Sequence, residues 1–219
     1  MFDANCLKLM FVAGSQDFYH IKGGKNDRTN ALLETLELAL ESKITAFQFR
    51  QKGDLALQDP TQIKQLALEC QKLCKKYGGP FIVNDEVQLA LELKADGVHV
   101  GQEDMAIEEV ITLCKKRLFI GLSVNTLEQA LKARHLDSVA YLGVGPIFPT
   151  PSKKDKQVVG VELLKKIRDS GVKKPLIAIG GITMHNAPKL REYGGIAVIS
   201  TITQAKDKVL AIGKLLNNA

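Results

Sequence analysis

The chain has 219 residues, 45% of them hydrophobic, with 30 Lys and Arg against 24 Asp and Glu. That supplies one substantial core and points to a single domain over 1–219, with no membrane-spanning segment and no signal peptide, since the apolar run Leu7–Ala13 is broken by Lys8. The net charge of +6 is spread among mixed signs and aromatics are only 5%, which excludes a stacked, basic nucleic-acid surface and suits a small polyanionic ligand in a cytoplasmic protein.

Apolar runs of strand length are expected at Lys8–Ala13, Ala46–Arg50, Pro80–Val83, Gly97–Val100, Leu118–Leu122, Val139–Val144, Leu176–Ile179 and Gly195–Ile199. Helical patterns lie between them and after the last. Leu32, Leu33, Leu36, Ala39 and Leu40 form one helical face. Asp59-Pro60 reads as an N-cap followed by proline at the first helical position. Leu127, Ala130 and Leu131 mark a shorter helix within Thr126–Arg134. About eight strand–helix units in a chain of this length predict an α/β fold of the (β/α)8 TIM-barrel type. A doubly wound sheet would place its glycine-rich turn after the first strand. Here that turn comes late, at Gly180-Gly181.

Cys70 and Cys74 fall on a helical stripe with Ile63, Leu66, Ala67, Leu73 and Tyr77. Core filling by free thiols is expected, and no Cys/His spacing suggests zinc.

In such a barrel the chemistry lies at the carboxyl ends of the strands. Asp85 and Asp104 each close an apolar run there, and two hard oxygen donors suit Mg²⁺, which completes its shell with water and phosphate. Alternation in Phe47-Gln48-Phe49-Arg50 turns Gln48 and Arg50 toward the barrel axis. A buried guanidinium needs an anion, and a barrel carboxylate or an anionic ligand would each serve; Lys52 adds a point charge. The long loop from Gly145 to about Gly160 offers Thr150, Ser152 and Lys153 as binding groups, whereas Lys154 and Lys156 read as solvated. Gly180-Gly181 allows close backbone approach, and Ser200-Thr201 offers amides and hydroxyls where this barrel usually binds phosphate. His99 reads as a hydrogen-bonded strand histidine, and His20, His135 and His185 carry no role.

Gln48-Phe-Arg50-Gln-Lys52, Asn84-Asp85, Ala95 through Asp104, Gly121-Leu-Ser123, Gly143 through Phe148 and Ala178 through Ile182 together resemble the thiamine-phosphate synthase family. The resemblance runs from about Lys8 to Ile202. It implies a transferase that joins a hydroxymethylpyrimidine diphosphate to a thiazole phosphate and releases pyrophosphate. By matching position it assigns Mg²⁺ to Asp85 and Asp104, and the diphosphate to Gln48, Arg50, Lys52, Asn84 and Lys153. Ser123 would meet the pyrimidine, while Thr150, Pro151, Ser152, Gly181, Ile199 and Ser200 would hold the thiazole phosphate. Arg50, Lys52, Ser123 and Lys153 would act in the chemical step. The implied mechanism is dissociative: pyrophosphate leaves first and the thiazole nitrogen attacks a pyrimidine methylene cation.

Two positions depart from the family. Thr150-Pro151-Ser152-Lys153 stands where the family usually has Thr-x-Thr-Lys, and Pro151 removes a backbone donor. Asn125 stands where the family often has histidine. A thiazole tautomerase-like isomerase is the nearest alternative, but it needs an acid–base group that Asn125 cannot supply. A non-catalytic phosphate-ligand sensor is the other. The expected partners are small molecules, and a homo-oligomer is left open.

Overall fold

The computed structural model describes residues 2–150 and 157–218. Eight parallel strands close into a barrel in chain order: β1 (Leu9–Ala13), β2 (Ala46–Phe49), β3 (Phe81–Asn84), β4 (Gly97–Val100), β5 (Phe119–Val124), β6 (Val139–Val144), β7 (Leu176–Ile179) and β8 (Gly195–Val198). Helices α1 (Lys25–Glu41), α2 (Pro60–Tyr77), α3 (Val87–Glu92), α4 (Ile107–Cys114), α5 (Leu127–Ala133) and α6 (Gly160–Asp169) follow the first six strands, and α7 (Ser200–Thr203) and α8 (Lys208–Asn218) follow the eighth.

The strands form because alternate residues satisfy two different cores. Met10, Val12, Ala46, Ile82, Tyr141, Ile177 and Ala197 point inward and pack with Leu7. Leu9, Phe11, Phe47, Phe49, Phe81 and Val83 point outward to the helical layer. Period two therefore sorts each strand into an inner and an outer face, and both faces are buried. Phe11, Phe47, Phe49 and Phe81 are all buried, and each contributes roughly 1.5–3 kcal/mol of transfer free energy.

The helices begin and end where their local chemistry allows. The Asp59 carboxylate caps α2 by accepting from the Gln62 amide at 2.8 Å, and Gly78, at φ +74°, ends it. The buried face of α2 is Leu66, Ala67, Cys70 and Cys74, so the two cysteines are core residues. Burial pushes both thiols upward, and all four cysteines are free. Thr126 and Gln129 form a capping box at the start of α5.

One expectation fails. Between β7 and β8 there is only a 3-10 turn, Ala187–Leu190, where a helix was expected. Pro188 lacks a backbone donor, so it opens a turn here and does not continue into a longer helix.

At the barrel's amino end, side chains cover the inner core and tie the loops together. Phe2 packs on Phe119 and Tyr141, with ring centroids 5.1 and 6.3 Å apart. Arg168 donates to the carbonyls of Val172, Lys174 and Tyr193. Lys174 donates to those of Leu136 and Val139. The carboxyl end opens into a cavity lined by residues from all eight strands. Among the described residues no helix is long and apolar enough to cross a membrane.

Candidate active site

The cavity floor is apolar, formed by Met10, Val12, Ile177 and Ala197. Its walls include Gln48, Arg50, Asn84, Ser123, Thr150, Gly181, Ile199 and Ser200. Eight of the expected binding residues thus face one space. Pro151, Ser152 and Lys153 lie outside the described residues.

Lys52, Asp85 and Asp104 are not part of that wall but gather beside it. The Lys52 Nζ donates to Asp85 Oδ2 at 2.8 Å and to Asp104 Oδ1 at 3.3 Å. The acids are half-buried, at 18% and 22% side-chain exposure, whereas Lys52 is 52% exposed. The lysine reaches in from solvent to two fixed carboxylates.

Each acid is fixed by backbone. Asp85 follows β3 at φ +63°, the left-handed region, and its amide donates to the His99 carbonyl at 2.8 Å. Asp is one of the few non-glycine residues that tolerate this conformation, and such strain gathers at functional sites. Asp104 Oδ2 accepts from the Gly101 amide at 2.8 Å, which folds the loop after β4 back onto the strand end. Gln102 ties the same loop to β5 by donating to the Ser123 carbonyl at 2.6 Å.

Burial pushes the Asp85 carboxyl above its ordinary range, and the neighbouring Asp104 adds to this while Lys52 opposes it. Burial also raises Asp104, but hydrogen bonds from Asp85 and the Gly101 amide, with the Lys52 charge, outweigh it and hold Asp104 low. Hydrogen bonding to Asp85 raises Lys52 against the cost of its own burial. Two crowded acids bridged by a lysine make a like-charge pair whose repulsion a cation relieves.

Two hard oxygen donors on one point match what Mg²⁺ takes from a protein. Among the described residues no group of three or more His, Cys, Asp or Glu could hold a metal. A two-carboxylate set leaves the rest of the shell to water and phosphate oxygens, which is the open arrangement of a phosphate-handling ion and not a closed structural site.

The opposite wall is built from backbone. Gly180 and Gly181 have φ of +100° and +62°. A methyl group on Gly181 would lie 2.4 Å from the Pro149 carbonyl oxygen, and one on Gly180 would lie 2.6 Å from Pro146 Cβ. Both glycines are thus needed for conformation and for packing under the loop after β6. That loop is pinned by Ile147 and Phe148, whose amides donate to the carbonyls of Ile179 and Gly180 at 2.9 and 3.0 Å. Ser200 opens α7 beside it, where first-turn amides lack intrahelical partners.

Asn125 donates from its side-chain amide to the Gly145 carbonyl. It braces the start of the β6 loop, which is a structural use and gives the tautomerase alternative no acid–base group.

Sequence reasoning missed two parts of the site. Tyr141 and His99 meet inside the barrel, with Tyr141 Oη 2.9 Å from His99 Nδ1 and Ser123 Oγ 2.9 Å from His99 Nε2. A tyrosine in a barrel strand was the available signal, because a buried hydroxyl requires a partner. The second part is the turn after β1. Gln16 donates to the Arg50 carbonyl at 2.7 Å, and Ser15 donates to Gln51 Oε1 at 3.1 Å. Asp17 accepts from the Gly14 amide and from Gln16, and lies near the Arg50 charge. These residues brace the end of β2, and nothing in their spacing announces it.

Residues 18–202 match the family model described as thiamine monophosphate synthase. The chain is 93% identical to the thiamine-phosphate synthase of Helicobacter pylori (strain ATCC 700392 / 26695), over 100% of both chains. It is 51% identical to the thiamine-phosphate synthase of Pasteurella multocida (strain Pm70), over 97% of this chain and 96% of the relative. Among solved structures, a thiamine phosphate pyrophosphorylase from Pyrococcus furiosus superposes with a TM-score of 0.82 at 35% identity, covering 98% of this chain and 96% of that one. A 3-hexulose-6-phosphate synthase, 15% identical with a TM-score of 0.64, shares the fold alone.

Proposed function

The chain belongs to the thiamine monophosphate synthase family and carries thiamine-phosphate synthase activity, and we propose that its barrel mouth divides this transferase reaction between a charged side and a backbone side. The observation that supports this most is the convergence of Lys52, Asp85 and Asp104 beside a cavity whose far wall is the Gly180-Gly181 turn and Ser200.

In this reading Arg50, Lys52 and Asn84 take the diphosphate of the pyrimidine substrate. Lys153 completes the clamp, and Gln48 reaches the same substrate from the inner face of β2. Asp85 and Asp104 would hold Mg²⁺, which when bound neutralises charge on the leaving diphosphate. Ser123 meets the pyrimidine ring. Thr150, Pro151, Ser152, the backbone around Gly181, Ile199 and Ser200 hold the thiazole phosphate.

Chemistry of this kind needs little from a nucleophile or base. The carbon–oxygen bond to the diphosphate breaks and its electron pair leaves with pyrophosphate. The pyrimidine amino group supports the methylene cation, and the thiazole nitrogen closes the new carbon–nitrogen bond. Arg50 and Lys52 stabilise the charge that grows on the leaving group. The phosphate anchor across the cavity holds the second ring in line for attack. The apolar floor excludes water that would otherwise capture the cation.

Incubation with both phosphorylated substrates and Mg²⁺, followed by mass analysis, tests the reading. The coupled product and one pyrophosphate per turnover are expected. Hydrolysis of the pyrimidine diphosphate without coupling would overturn the assignment of the backbone side.

A further inference from the structure

We propose that Tyr141 and His99 are positioning residues: a one-directional hydrogen-bond chain through them sets the Ser123 hydroxyl as a donor toward an acceptor nitrogen of the pyrimidine ring. The proposal rests on the reading above that Ser123 meets the pyrimidine.

The chain exists because two glycines leave room for it. Strand register sets Gly121 of β5 beside His99 of β4 on one side and beside Tyr141 of β6 on the other. A methyl group on Gly121 would lie 2.2 Å from Tyr141 Cζ and 2.5 Å from His99 Nδ1. Without it, the histidine and tyrosine bond directly across the intervening strand at 2.9 Å. Gly143, paired with Ser123, clears the other side: a methyl group there would lie 2.9 Å from His99 Cε1. The cradle fits this pair of side chains.

Direction follows from donor and acceptor chemistry. Tyr141 is fully buried, and its hydroxyl meets His99 Nδ1. Burial keeps the Tyr141 hydroxyl protonated far above neutral pH. A buried hydroxyl proton left without an acceptor is costly, so it goes to His99 Nδ1. A neutral histidine that accepts at Nδ1 carries its proton at Nε2. His99 Nε2 then donates to Ser123 Oγ, 2.9 Å away. Ser123 has its own proton left for the cavity, and a ring nitrogen is the acceptor a pyrimidine presents.

Nitrogen NMR on protein labelled with 15N-histidine tests the direction. His99, assigned by loss of its signal in His99→Gln, should be the neutral Nε2–H tautomer in the protein without substrate. The Nδ1–H tautomer would overturn the proposal. Tyr141→Phe keeps the ring and removes the donor. It should abolish the fixed Nε2–H signature. It should raise KM for the pyrimidine diphosphate roughly three- to tenfold, as expected for one neutral hydrogen bond. KM for the thiazole phosphate should not move. Unchanged KM values, or equal rises for both substrates, would overturn the link to Ser123. The two readings fail separately: a wild-type protein that does not couple the substrates defeats the functional reading and leaves the tautomer result standing.

Discussion

On the β2–β4 side of the barrel mouth the working groups are side chains with full charges: Arg50, Lys52, Asp85 and Asp104, and Lys52 already contacts both acids. On the β6–β8 side they are mainly backbone, shaped by Gly180 and Gly181 at positive φ and by the start of α7 at Ser200. The difference follows from what happens to each bound group. A diphosphate that departs gains charge during the reaction, so charged side chains there act on the rate. A phosphate that stays attached does not change, so neutral donors hold it with little effect on the chemical step. The charged side is also the electrostatically frustrated one, since two acids crowd together at its rim. The backbone side is locked by packing.

The largest effect should come from breaking the charged side. Asp85→Asn keeps a residue that tolerates φ +63° and removes one cation ligand. It should lower kcat on the order of 10²–10³-fold, read as pyrophosphate release, and excess chelator should abolish turnover until Mg²⁺ is returned. Full activity in chelator would remove the metal from the comparison. The same variant should gain stability in chelator at neutral pH. Burial raises the folded Asp85 carboxyl above its unfolded value near 3.8. Below that unfolded value both states are protonated and no penalty exists. As pH rises through the folded value, the native state must give up a proton it holds more tightly than the unfolded state does, and stability falls. Asp85→Asn should therefore melt higher than the parent at neutral pH and show no such advantage at pH 3.

Lys52→Met comes next. The lysine is half-exposed, so its ion pairs add little to stability, but its charge faces the leaving group. We expect kcat to fall roughly 10²-fold with the melting temperature nearly unchanged. A large loss of stability with normal kcat would make Lys52 a structural clasp for the two acids.

On the backbone side, Gly181→Ala should act through the fold. A methyl group there would meet the Pro149 carbonyl at 2.4 Å, and φ +62° disfavours any Cβ. Together these should cost about 1–3 kcal/mol in denaturant unfolding. KM for the thiazole phosphate should rise more than KM for the diphosphate, because the turn carries the loop after β6.

Much of this division was legible in the sequence. The strands were visible because each is a short apolar run, and five of the eight begin where the pattern places them: Ala46, Gly97, Val139, Leu176 and Gly195. Asp85 and Asp104 stood out because a charge ends each run abruptly. The link between β7 and β8 was misread as a helix by extending the strand–helix alternation, whereas Pro188 allows only a turn. The His99–Tyr141 bond was hidden for a different reason. It crosses β5 through the space left by Gly121, and only strand register brings those three positions into line. A residue's missing side chain carries no signal until its neighbours are known.

Ser200→Ala should give the smallest effect and the sharpest test of the comparison. Ser200 lines the cavity at the first residue of α7. Alanine keeps the amide and the helix, so only the hydroxyl is lost. A hydroxyl donating to a phosphate is one neutral donor on a charged acceptor, whose loss weakens binding by roughly tenfold or less. The group it holds has the same charge in the ground state and the transition state, so the loss should appear in KM for the thiazole phosphate and leave kcat within about twofold. KM for the pyrimidine diphosphate should stay where it is. Steady-state kinetics with each substrate varied at saturation of the other separates these cases. If Ser200→Ala weakened only the diphosphate substrate, the two sides of the mouth would have to exchange ligands. If it lowered kcat as strongly as Lys52→Met, the backbone side would share in stabilising the transition state, and a division between charge that acts on rate and backbone that acts on binding would no longer describe this barrel.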